Sequence, residues 1–405
     1  MLRLIFVNRF FHPDTSATSQ LLSDLAFHLA EAGFEVRVVT GRQLYGDPSH
    51  QLPPSETVRG VNVRRVWATR FGRGRLSTRA IDYLTFYLGA TATLARLVDS
   101  GTVIVAETDP PLLSVPAALV AWLRRSTLVN WTQDLFPEIA ERLRVPGIAP
   151  FAPVLRRLRN LSLKHAQMNV VLGEGMAARL RAEGIAPDKI SVIPNWSLAE
   201  TESVASADAR NALRAEWNLA GKLVVGYSGN FGRVHDFTTI LDAVVALRDR
   251  PDIHFLFVGD GAQRAWLEER VTALGLANMT LRPYQPLDRL ATSLAVPDVH
   301  LVSQKPEVEG LVVPSKLYAV LAAGRPVVFV GDTQGEMARR IVETGCGRAF
   351  PVGAHTELAA TLRELAAEPS QVIEMGQRAR ALWEARFQRK QALAAWQALL
   401  AGMSP

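Results

Sequence analysis

The stretch Lys222-Leu-Val-Val-Gly-Tyr-Ser-Gly-Asn-Phe-Gly-Arg233 predicts a buried β-strand that ends in a glycine-containing loop. Its first half is a short apolar run, and its second half brings two glycines and a cation to the start of the next element. The same alternation continues with strands at Ile253–Val258, Met279–Pro283, Val299–Val302 and Pro326–Val330. Strands that alternate with helices indicate a parallel sheet covered on both faces, as in a Rossmann-like domain.

The first half of the chain carries an alternation of its own. Strands are predicted at Arg3–Val7, Glu35–Thr40, Val61–Trp67, Val103–Ala106, Leu128–Trp131 and Asn169–Leu172, and helices at Ala17–Ala32, Thr78–Val98, Leu112–Leu123, Pro153–His165 and Gly175–Glu183. A polar, acid-rich segment at residues 199–209 separates the two halves. We therefore expect an α/β protein of two Rossmann-like parallel-sheet domains that face each other across a deep cleft.

The predicted domains span residues 1–195 and 206–386. Because hairpin turn signals are missing, both sheets are expected to be parallel throughout. The pattern of Ser370–Leu400 predicts two helices with a break near Phe387. Residues 387–405 are then a C-terminal helix that we expect to pack back across the N-terminal domain.

Composition narrows the class of protein. The chain has 405 residues, 48% of them apolar and 21% charged, which is typical of a globular protein and not of a disordered one. A single cysteine, Cys346, excludes an intramolecular disulfide and a multi-cysteine metal site, and suits the cytosol. The net charge of +6 favours anionic partners. No signal peptide is predicted, and the longest apolar stretch, Leu112–Leu123, is too short to span a bilayer.

The loop after Tyr227 predicts a phosphate site. Gly229 and Gly232 let a phosphate approach the backbone around Asn230, and Arg233 and a helix N-terminus supply positive charge. His235 could donate to the same phosphate. The alternatives are that the glycines serve only strand-to-helix packing and that the histidine is only a capping or packing residue.

Two later turns are weaker candidates for donor contacts. Gly259, in Val258-Gly-Asp-Gly261, makes a tight turn that by itself favours architecture over ligand contact. A planar base could lie against Tyr284, or the chain could simply turn there. Both residues are kept as candidate donor contacts.

The stretch from Glu307 to Val327 is the most structured of the loops. It places Glu309 and Gly310 before Pro314, and Ser315 and Lys316 in the first turn of a helix. A lysine there is unfavourable because its positive charge opposes the helix dipole. An anionic ligand bound at this helix start would explain its presence. The alternative is that Lys316 only extends to solvent.

The loop after the first strand predicts a site for an anion or a sugar hydroxyl. Its candidate residues are His12, Thr15, Ser16 and Thr18, where several hydroxyls meet the N-terminus of a helix. Asp109, after the fourth predicted strand, is added to this set. The alternative is a loop and helix cap that bind nothing.

These motifs together resemble the retaining nucleotide-sugar glycosyltransferases of the family-4 type, which have a GT-B fold. The resemblance covers nearly the whole chain, and its motifs are Phe11-His-Pro-Asp-Thr-Ser-Ala-Thr-Ser19, Ser228-Gly-Asn-Phe231, Val258-Gly-Asp-Gly261, Glu309-Gly-Leu-Val-Val-Pro-Ser-Lys316 and Ala323-Gly-Arg-Pro326. Trp131-Thr-Gln-Asp-Leu-Phe-Pro-Glu138 and the Pro-Ser-Lys form are similar to the O-antigen and capsule branch, which includes N-acetyl-L-fucosamine transferases. The resemblance makes the first domain the acceptor-binding one and the second the donor-binding one.

The resemblance also assigns residues to the donor. It implies that Gly229 and Asn230 approach the diphosphate, with Arg233 and Lys316 as cations, and that Glu309 faces the transferring sugar. The remaining implied donor contacts are Gly310, Leu311, Val312 and Ser315. The family's second glutamate, which holds the ribose, is replaced by Leu317, and the usual arginine and lysine of the phosphate loop are displaced, with Asn230 and His235 near their positions.

The family's catalytic-loop histidine is replaced by Thr132-Gln-Asp134. Asp134 and Glu138 are therefore our candidates to orient or deprotonate the acceptor hydroxyl. The alternative for Asp134 is a cap of the turn before Pro137. The sequence contains no Asp-x-Asp pair, so no metal or other cofactor is expected, and the leaving-group charge falls on Lys316, Arg233 and helix N-termini.

Two basic patches predict a surface for anionic partners. One consists of Arg64, Arg65, Arg70, Arg73, Arg75 and Arg79, and the other of Arg144, Arg156, Arg157, Arg159 and Lys164. Trp67, Phe71, Phe151 and Leu155 interleave apolar groups, which is typical of a membrane surface. Nucleic acid is the rival partner, but the sequence contains no recognisable nucleic-acid-binding module. The remaining alternative is a basic face that is only solvated.

We therefore predict a cytoplasmic enzyme, peripherally bound to the inner face of the plasma membrane. It would move a sugar from a nucleotide diphosphate, most simply UDP, to a polyprenyl-diphosphate-linked glycan with retention of configuration. The alternatives are a nucleotide-sugar 2-epimerase of the same fold and a non-catalytic sugar-nucleotide binder. An NAD-linked dehydrogenase is disfavoured because Gly-x-Gly-x-x-Gly does not follow the first strand.

Overall fold

The computed structural model describes residues 2–47, 49–72, 76–197 and 206–403. The chain divides into two compact units. The first unit comprises residues 1–194, 311–313 and 390–405, and the second comprises residues 195–310 and 314–389. Arg73 and Arg75 of the first predicted basic patch, and most of the acid-rich segment between the halves, lie outside the described residues.

The first unit contains an eight-stranded sheet in the order β3-β4-β2-β1-β5-β6-β7-β8. The strands are β1 (Arg3–Val7), β2 (Glu35–Gly41), β3 (Ser55–Val58), β4 (Val61–Val66), β5 (Thr102–Glu107), β6 (Thr127–Thr132), β7 (Met168–Val171) and β8 (Ile190–Val192). The central strands β1 and β5 are buried along almost their whole length, as their apolar runs predicted.

The expectation of a wholly parallel sheet is wrong at one edge. Strand β3 pairs antiparallel with β4, while the other strand pairs of this sheet are parallel. The hairpin turns at Arg59 and Gly60, whose φ angles are 48° and 80°. Ser55-Glu-Thr-Val58 has no fully buried residue, so its sequence lacks the apolar signal by which the other strands were predicted.

Helices cover both faces of this sheet. They are α1 (Ala17–Glu31), α2 (Leu76–Leu97), α3 (Ser114–Arg124), α4 (Glu138–Arg142), α5 (Ala152–His165) and α6 (Glu174–Ala182). Helices α2 and α3 pack through Phe86, Leu94 and Ala117 onto Ile5 and Ile104 of the central strands. Among the described helices, none has both the length and the apolar character needed to cross a membrane.

The second unit contains a six-stranded parallel sheet in the order β11-β10-β9-β12-β13-β14. The strands are β9 (Leu223–Ser228), β10 (Ile253–Val258), β11 (Met279–Arg282), β12 (Val299–Ser303), β13 (Val327–Val330) and β14 (Gly347–Phe350). Strand β14 was not predicted. Arg348, Ala349 and Phe350 at this sheet edge are only partly buried, which again weakens the apolar signal.

The helices of the second unit are α7 (Ala207–Glu216), α8 (Thr238–Ala246), α9 (Arg264–Leu274), α10 (Leu287–Ala295), α11 (Lys316–Ala322), α12 (Glu336–Glu343), α13 (His355–Ala367) and α14 (Pro369–Arg386). The core contains a cluster of aromatic rings, in which Tyr227 stacks on Phe257 with centroids 5.3 Å apart and meets Phe237 edge-on at 4.9 Å. This packing fixes the end of β9, from which the glycine loop begins.

The chain ends in helix α15 (Arg389–Ala401), which belongs to the first unit. The predicted break near Phe387 is confirmed, since α14 ends at Arg386. Trp396 of α15 is fully buried and packs against Trp131 of β6, with ring centroids 4.8 Å apart. The last helix is therefore part of the first unit's core.

Candidate active site

The loop after β9 is held in place by the loop after β10. The backbone N–H of Gly229 donates to Val258 O at 2.9 Å, and that of Phe231 donates to Asp260 O at 2.8 Å. The Gln263 side chain donates to Gly232 O at 2.6 Å. The glycine loop that was predicted to bind phosphate is thus hydrogen-bonded to the neighbouring loop of the second unit.

Gly259 is required by this packing. Its φ angle is +153°, and a Cβ atom there would overlap the carbonyl oxygen of Gly229. The structure therefore gives Gly259 the architectural role that its turn motif favoured. A direct contact between Gly259 and a donor stays a prediction.

Lys316, the first residue of α11, points into the glycine loop. Its Nζ atom donates to Tyr227 Oη, lies 2.9 Å from His235 Nε2 and sits 4.2 Å from the centroid of the Tyr227 ring. Removal of the ammonium from water lowers the pKa of Lys316 well below its ordinary value. The alternative that Lys316 only extends to solvent is therefore wrong.

His235 orients this lysine. Its ring is buried, and Nδ1 contacts the backbone oxygen of Ser303 at the end of β12. Because a carbonyl only accepts, Nδ1 carries the proton and Nε2 is left to accept from Lys316. Burial, and then the charge of Lys316, lower the pKa of His235 well below its ordinary value, so the ring stays neutral. The structure thus shows His235 bound to Lys316, and its predicted contact with the donor stays untested.

The cation of Lys316 has no counter-ion in the part of the chain that the structure describes. No ion pair within 4.0 Å joins Lys316 to a carboxylate there. Arg233, a few residues along the same loop, is exposed. A glycine loop with one inward lysine and one exposed arginine is suited to bind an anion.

Glu309 lies at the far end of the same segment. Its Oε1 accepts from the backbone N–H of Glu336 at 3.0 Å, and a Cβ atom at Gly335 would lie 2.7 Å from its carboxyl carbon. The carboxylate therefore caps the N-terminus of α12, a role that the sequence analysis missed. The Gly335-Glu336 pair at a helix start is the signal that could have indicated it.

The other predicted donor contacts fall into two groups. Ser315 and Tyr284 are exposed, and Gly310 forms the turn after Glu309 with a φ of +72°. Leu311 and Val312 belong to the first unit, where Leu311 O accepts from Leu135 N at 2.8 Å and Val312 pairs with Asp134. The backbone groups of both residues thus pair with the loop after β6.

Leu317 occupies the position that the resemblance gives to the ribose-binding glutamate. Its side chain is buried in the second unit. A buried leucine has no group with which to hold a ribose hydroxyl. Leu317 therefore does not take over the role of the family's ribose-binding glutamate.

Three carboxylates come together at the carboxyl ends of β5 and β6. Burial and, next, the charge of Asp109 raise the pKa of Asp134 to about 6, although a hydrogen bond from Thr108 acts in the opposite direction. Burial likewise raises the pKa of Glu107 well above its ordinary value, with Asp109 and Asp134 contributing. The predicted residues Asp134 and Asp109 thus belong to one cluster.

Glu107 is a member of this cluster that the sequence analysis missed. It is the last residue of β5, is buried, and accepts from Gln133 Nε2 at 3.1 Å. Among the described residues, Glu107 Oε2 and Asp134 Oδ1 are buried without a hydrogen-bond partner. A carboxylate directly after the apolar run Val103–Ala106 was the signal available in the sequence.

Glu138, which was predicted to orient or deprotonate the acceptor hydroxyl, is held by two arginines. Its two oxygens accept from Arg159 at 2.7 and 2.9 Å, and Oε1 accepts from Arg156 at 2.9 Å. Arg156 also binds Glu141 at 2.6 Å. Two guanidinium groups therefore neutralise Glu138 and hold α4 against α5.

The same contacts correct the predicted basic patches. Arg156 and Arg159 are neutralised by Glu138 and Glu141, which precede them in the chain, and Arg159 is buried. In the other patch, Arg65 is buried and pairs with Glu56 at 2.5 Å. Arg64 and Arg157 are exposed as expected.

The four predicted acceptor residues of the first loop lie together before and within the first turn of α1. His12 and Thr15 are exposed, and Ser16 and Thr18 are half-buried. The loop is shaped by Asp14, a buried residue absent from the prediction, which accepts from Ser16 N at 2.8 Å. The N–H of Arg9 donates to Asp109 O at 2.7 Å, which ties this loop to the carboxylate cluster.

Two models of glycosyltransferase domains match this chain. Residues 18–196 match the model of a glycosyl transferase 4-like domain, and residues 222–368 match that of glycosyl transferases group 1. Together these matches cover most of both units.

Two relatives extend the match over most of the chain. WcaI of Escherichia coli K12, whose name is that of a colanic acid biosynthesis glycosyl transferase, is 29% identical over 84% of this chain and 86% of its own. WbjE of Pseudomonas aeruginosa, named as a glycosyltransferase, is 29% identical over 73% of this chain and 74% of its own.

Solved structures agree in fold. HepE of Anabaena in complex with UDP-glucose superposes with a TM-score of 0.73 at 17% identity, covering 100% of both chains. WaaG, a glycosyltransferase involved in lipopolysaccharide biosynthesis, has a TM-score of 0.73 at 15% identity over 98% of this chain and 100% of its own. The protein therefore has two α/β domains of the GT-B type. It belongs to the family-4 type glycosyltransferases, with a 4-like first domain and a group 1 second domain.

Proposed function

We propose that the protein is a retaining glycosyltransferase that moves a sugar from a UDP-sugar to a lipid-linked glycan during the synthesis of a cell-surface polysaccharide. The observation that carries the proposal is the ammonium of Lys316, held inside a glycine loop without an ion pair to a carboxylate in the described residues. The UDP-glucose bound by HepE and the name of WcaI support the donor and the pathway class.

On the donor side, Lys316 and Arg233 are proposed to bind the diphosphate. As the sugar leaves, negative charge grows on the phosphate oxygens, and a cation already in position stabilises it without reorganisation. His235 acts through Lys316, because its Nε2 accepts one N–H of the ammonium and fixes its direction. Charge stabilisation by these residues takes the place of a metal ion in our proposal.

On the acceptor side, Asp134 is proposed to bind and orient the attacking hydroxyl. Its buried Oδ1 has no hydrogen-bond partner in the described residues, and its pKa of about 6 leaves it largely ionised at neutral pH. In a front-face reaction with retention, the departing phosphate takes the hydroxyl proton. Asp134 then contributes by orientation and charge, with Glu107 and Asp109 behind it.

The acceptor is proposed to be a polyprenyl-diphosphate-linked glycan, used by a cytoplasmic enzyme at the inner face of the plasma membrane. The support is the net charge of +6 and the exposed cations Arg64 and Arg157 of the first unit. Such a lipid would keep the acceptor at an anionic surface that attracts these cations.

The test is mass spectrometry of bacterial membranes incubated with the purified protein and a panel of UDP-sugars. We expect the mass of one lipid-linked glycan to rise by one sugar residue with one of the donors. Conversion of the UDP-sugar without an acceptor would instead identify an epimerase. Nucleotide binding without any turnover would identify a binding protein, and either result would reject the proposal.

A further inference from the structure

Helix α3 exposes large apolar side chains to solvent. Leu119, Trp122 and Leu123 are 51%, 65% and 62% exposed, while Ala117 and Val120 of the same helix are buried in the core. Residues spaced by three and four lie on one face of a helix. Helix α3 therefore has two apolar faces, of which only one is used by the first unit.

The two neighbouring helices repeat this feature. Helix α3 contacts α2 on one side and α5 on the other. Leu84 and Leu88 of α2, and Leu158 and Leu161 of α5, are exposed at four- and three-residue spacing, Leu88 and Leu161 to 64% and 65%. We call the exposed side chains of these three neighbouring helices the apolar face.

The exposed charges on these three helices have one sign. The sequences of α2, α3 and α5 contain a single carboxylate, Asp82, which is buried and accepts from backbone N–H groups of Phe71 and Gly72. Arg157 and Lys164 are exposed on α5, on the same side as Leu161. Exposed cations therefore border the apolar side chains without an exposed acid on these helices.

From this composition we propose that the apolar face rests in the headgroup layer of an anionic bilayer, with Trp122 and Leu161 among the inserted side chains. Apolar side chains bordered by cations and including a tryptophan are typical of surfaces that lie at a membrane interface. A second copy of the chain fits less well, because it would bring two cationic surfaces together. The inference rests on the proposed function, because contact with the membrane would give the enzyme access to a lipid-linked acceptor.

The apolar face also leads to the acceptor side of the site. Helix α3 begins at Ser114, and one small cavity is lined by Ser114, Asp134, Phe136 and Arg159. An acceptor anchored in the leaflet by its lipid would reach Asp134 past the N-terminal end of α3. Of the second predicted basic patch, Arg157 and Lys164 border this surface, whereas Arg156 and Arg159 are neutralised within the unit.

The experiment is cosedimentation of the full chain with vesicles of phosphatidylcholine alone or with added phosphatidylglycerol. We expect binding to the anionic vesicles, and Trp122→Ser combined with Leu161→Ser should weaken it at least tenfold. Arg157→Glu combined with Lys164→Glu should weaken it at low salt and change it little at high salt. The matched control is Val342→Ser combined with Ile373→Ser, two residues of the second unit exposed to 55% and 62%, which should bind like the wild type.

A conservative variant guards against misfolding. Trp122→Phe should keep vesicle binding but reduce the blue shift of tryptophan emission that vesicles produce. Unchanged binding by Trp122→Ser/Leu161→Ser would overturn the proposal. So would a lipid-free dimer that this variant converts to monomer in analytical ultracentrifugation, because it would assign the apolar face to a second copy.

Calorimetric titration with UDP-glucose separates this inference from the proposed function. A protein that binds the nucleotide sugar but no vesicle would reject the membrane surface and leave the glycosyltransferase proposal intact. A protein that binds vesicles through the apolar face but neither binds nor turns over any UDP-sugar would reject the glycosyltransferase proposal and leave the membrane surface intact.

Discussion

Replacement of Lys316 by methionine tests the donor site directly. The Nζ atom has three N–H donors, of which one binds Tyr227 Oη and one binds His235 Nε2 at 2.9 Å. The third acceptor that the structure describes, Asn230 O, lies at 3.5 Å, too far for a strong hydrogen bond, so one donor is available to a phosphate oxygen. Loss of one preorganised donor to a developing charge lowers turnover by about a hundredfold or more.

The melting temperature of Lys316→Met distinguishes a variant that has lost only the donor site from one that has lost its fold. The Lys316 ammonium is partly removed from water, and no carboxylate among the described residues pairs with it. Lys316→Met should therefore leave the melting temperature of the free protein unchanged or higher, while the rise in melting temperature on adding UDP disappears. Lys390→Met, at an exposed position of α15, should keep both the turnover and the UDP effect.

The pH dependence gives a further readout. Because the pKa of Lys316 is depressed in the folded state, the unfolded chain binds more protons between that value and the ordinary 10.5. The contribution of Lys316 to stability should then rise with pH across this window, and Lys316→Met should lose that contribution. Near-wild-type kcat/KM together with an unchanged UDP-induced stabilisation would refute the assignment of Lys316 to the donor diphosphate.

The remaining predictions concern the carboxylates and the metal. The kcat/KM should fall as the pH drops through about 6, where Asp134 becomes protonated, and Asp134→Asn should lower turnover and remove that step from the pH profile. Glu138→Gln should lower the free energy of unfolding by about 3 kcal/mol, because Arg159 is left buried with a weakened partner, while the acidic limb of the pH profile stays in place. Glu309→Ala should reduce turnover about a hundredfold and also destabilise by about 1 kcal/mol through the lost cap of α12, measured by denaturant titration beside activity. Activity should survive EDTA, and a loss that Mn²⁺ or Mg²⁺ restores would show that the proposed metal-free donor site is wrong.

Sequence alone was sufficient for features that local patterns encode. The buried strands β1, β5, β9 and β10 follow from apolar runs of strand length, and the break before α15 follows from a change in the helical pattern at Phe387. The glycine loop and Lys316 were also indicated, since glycines and a cation at the start of a helix carry a local meaning. The edge strands β3, β8 and β14 were not predicted, because each is short and most of its residues are not buried, so an apolar run of strand length is missing.

Only the tertiary structure decided which of these residues meet. Lys316 and Tyr227 are 89 positions apart, and nothing near either residue indicates that the lysine turns inward to the phenol and the neutral His235. Glu138 was predicted to orient or deprotonate the acceptor hydroxyl, and only the fold shows that α5 brings Arg159, 21 positions away, against it. The role of a charged side chain depends on its solvation and on its nearest opposite charge, and both are set by contacts between distant segments of the chain.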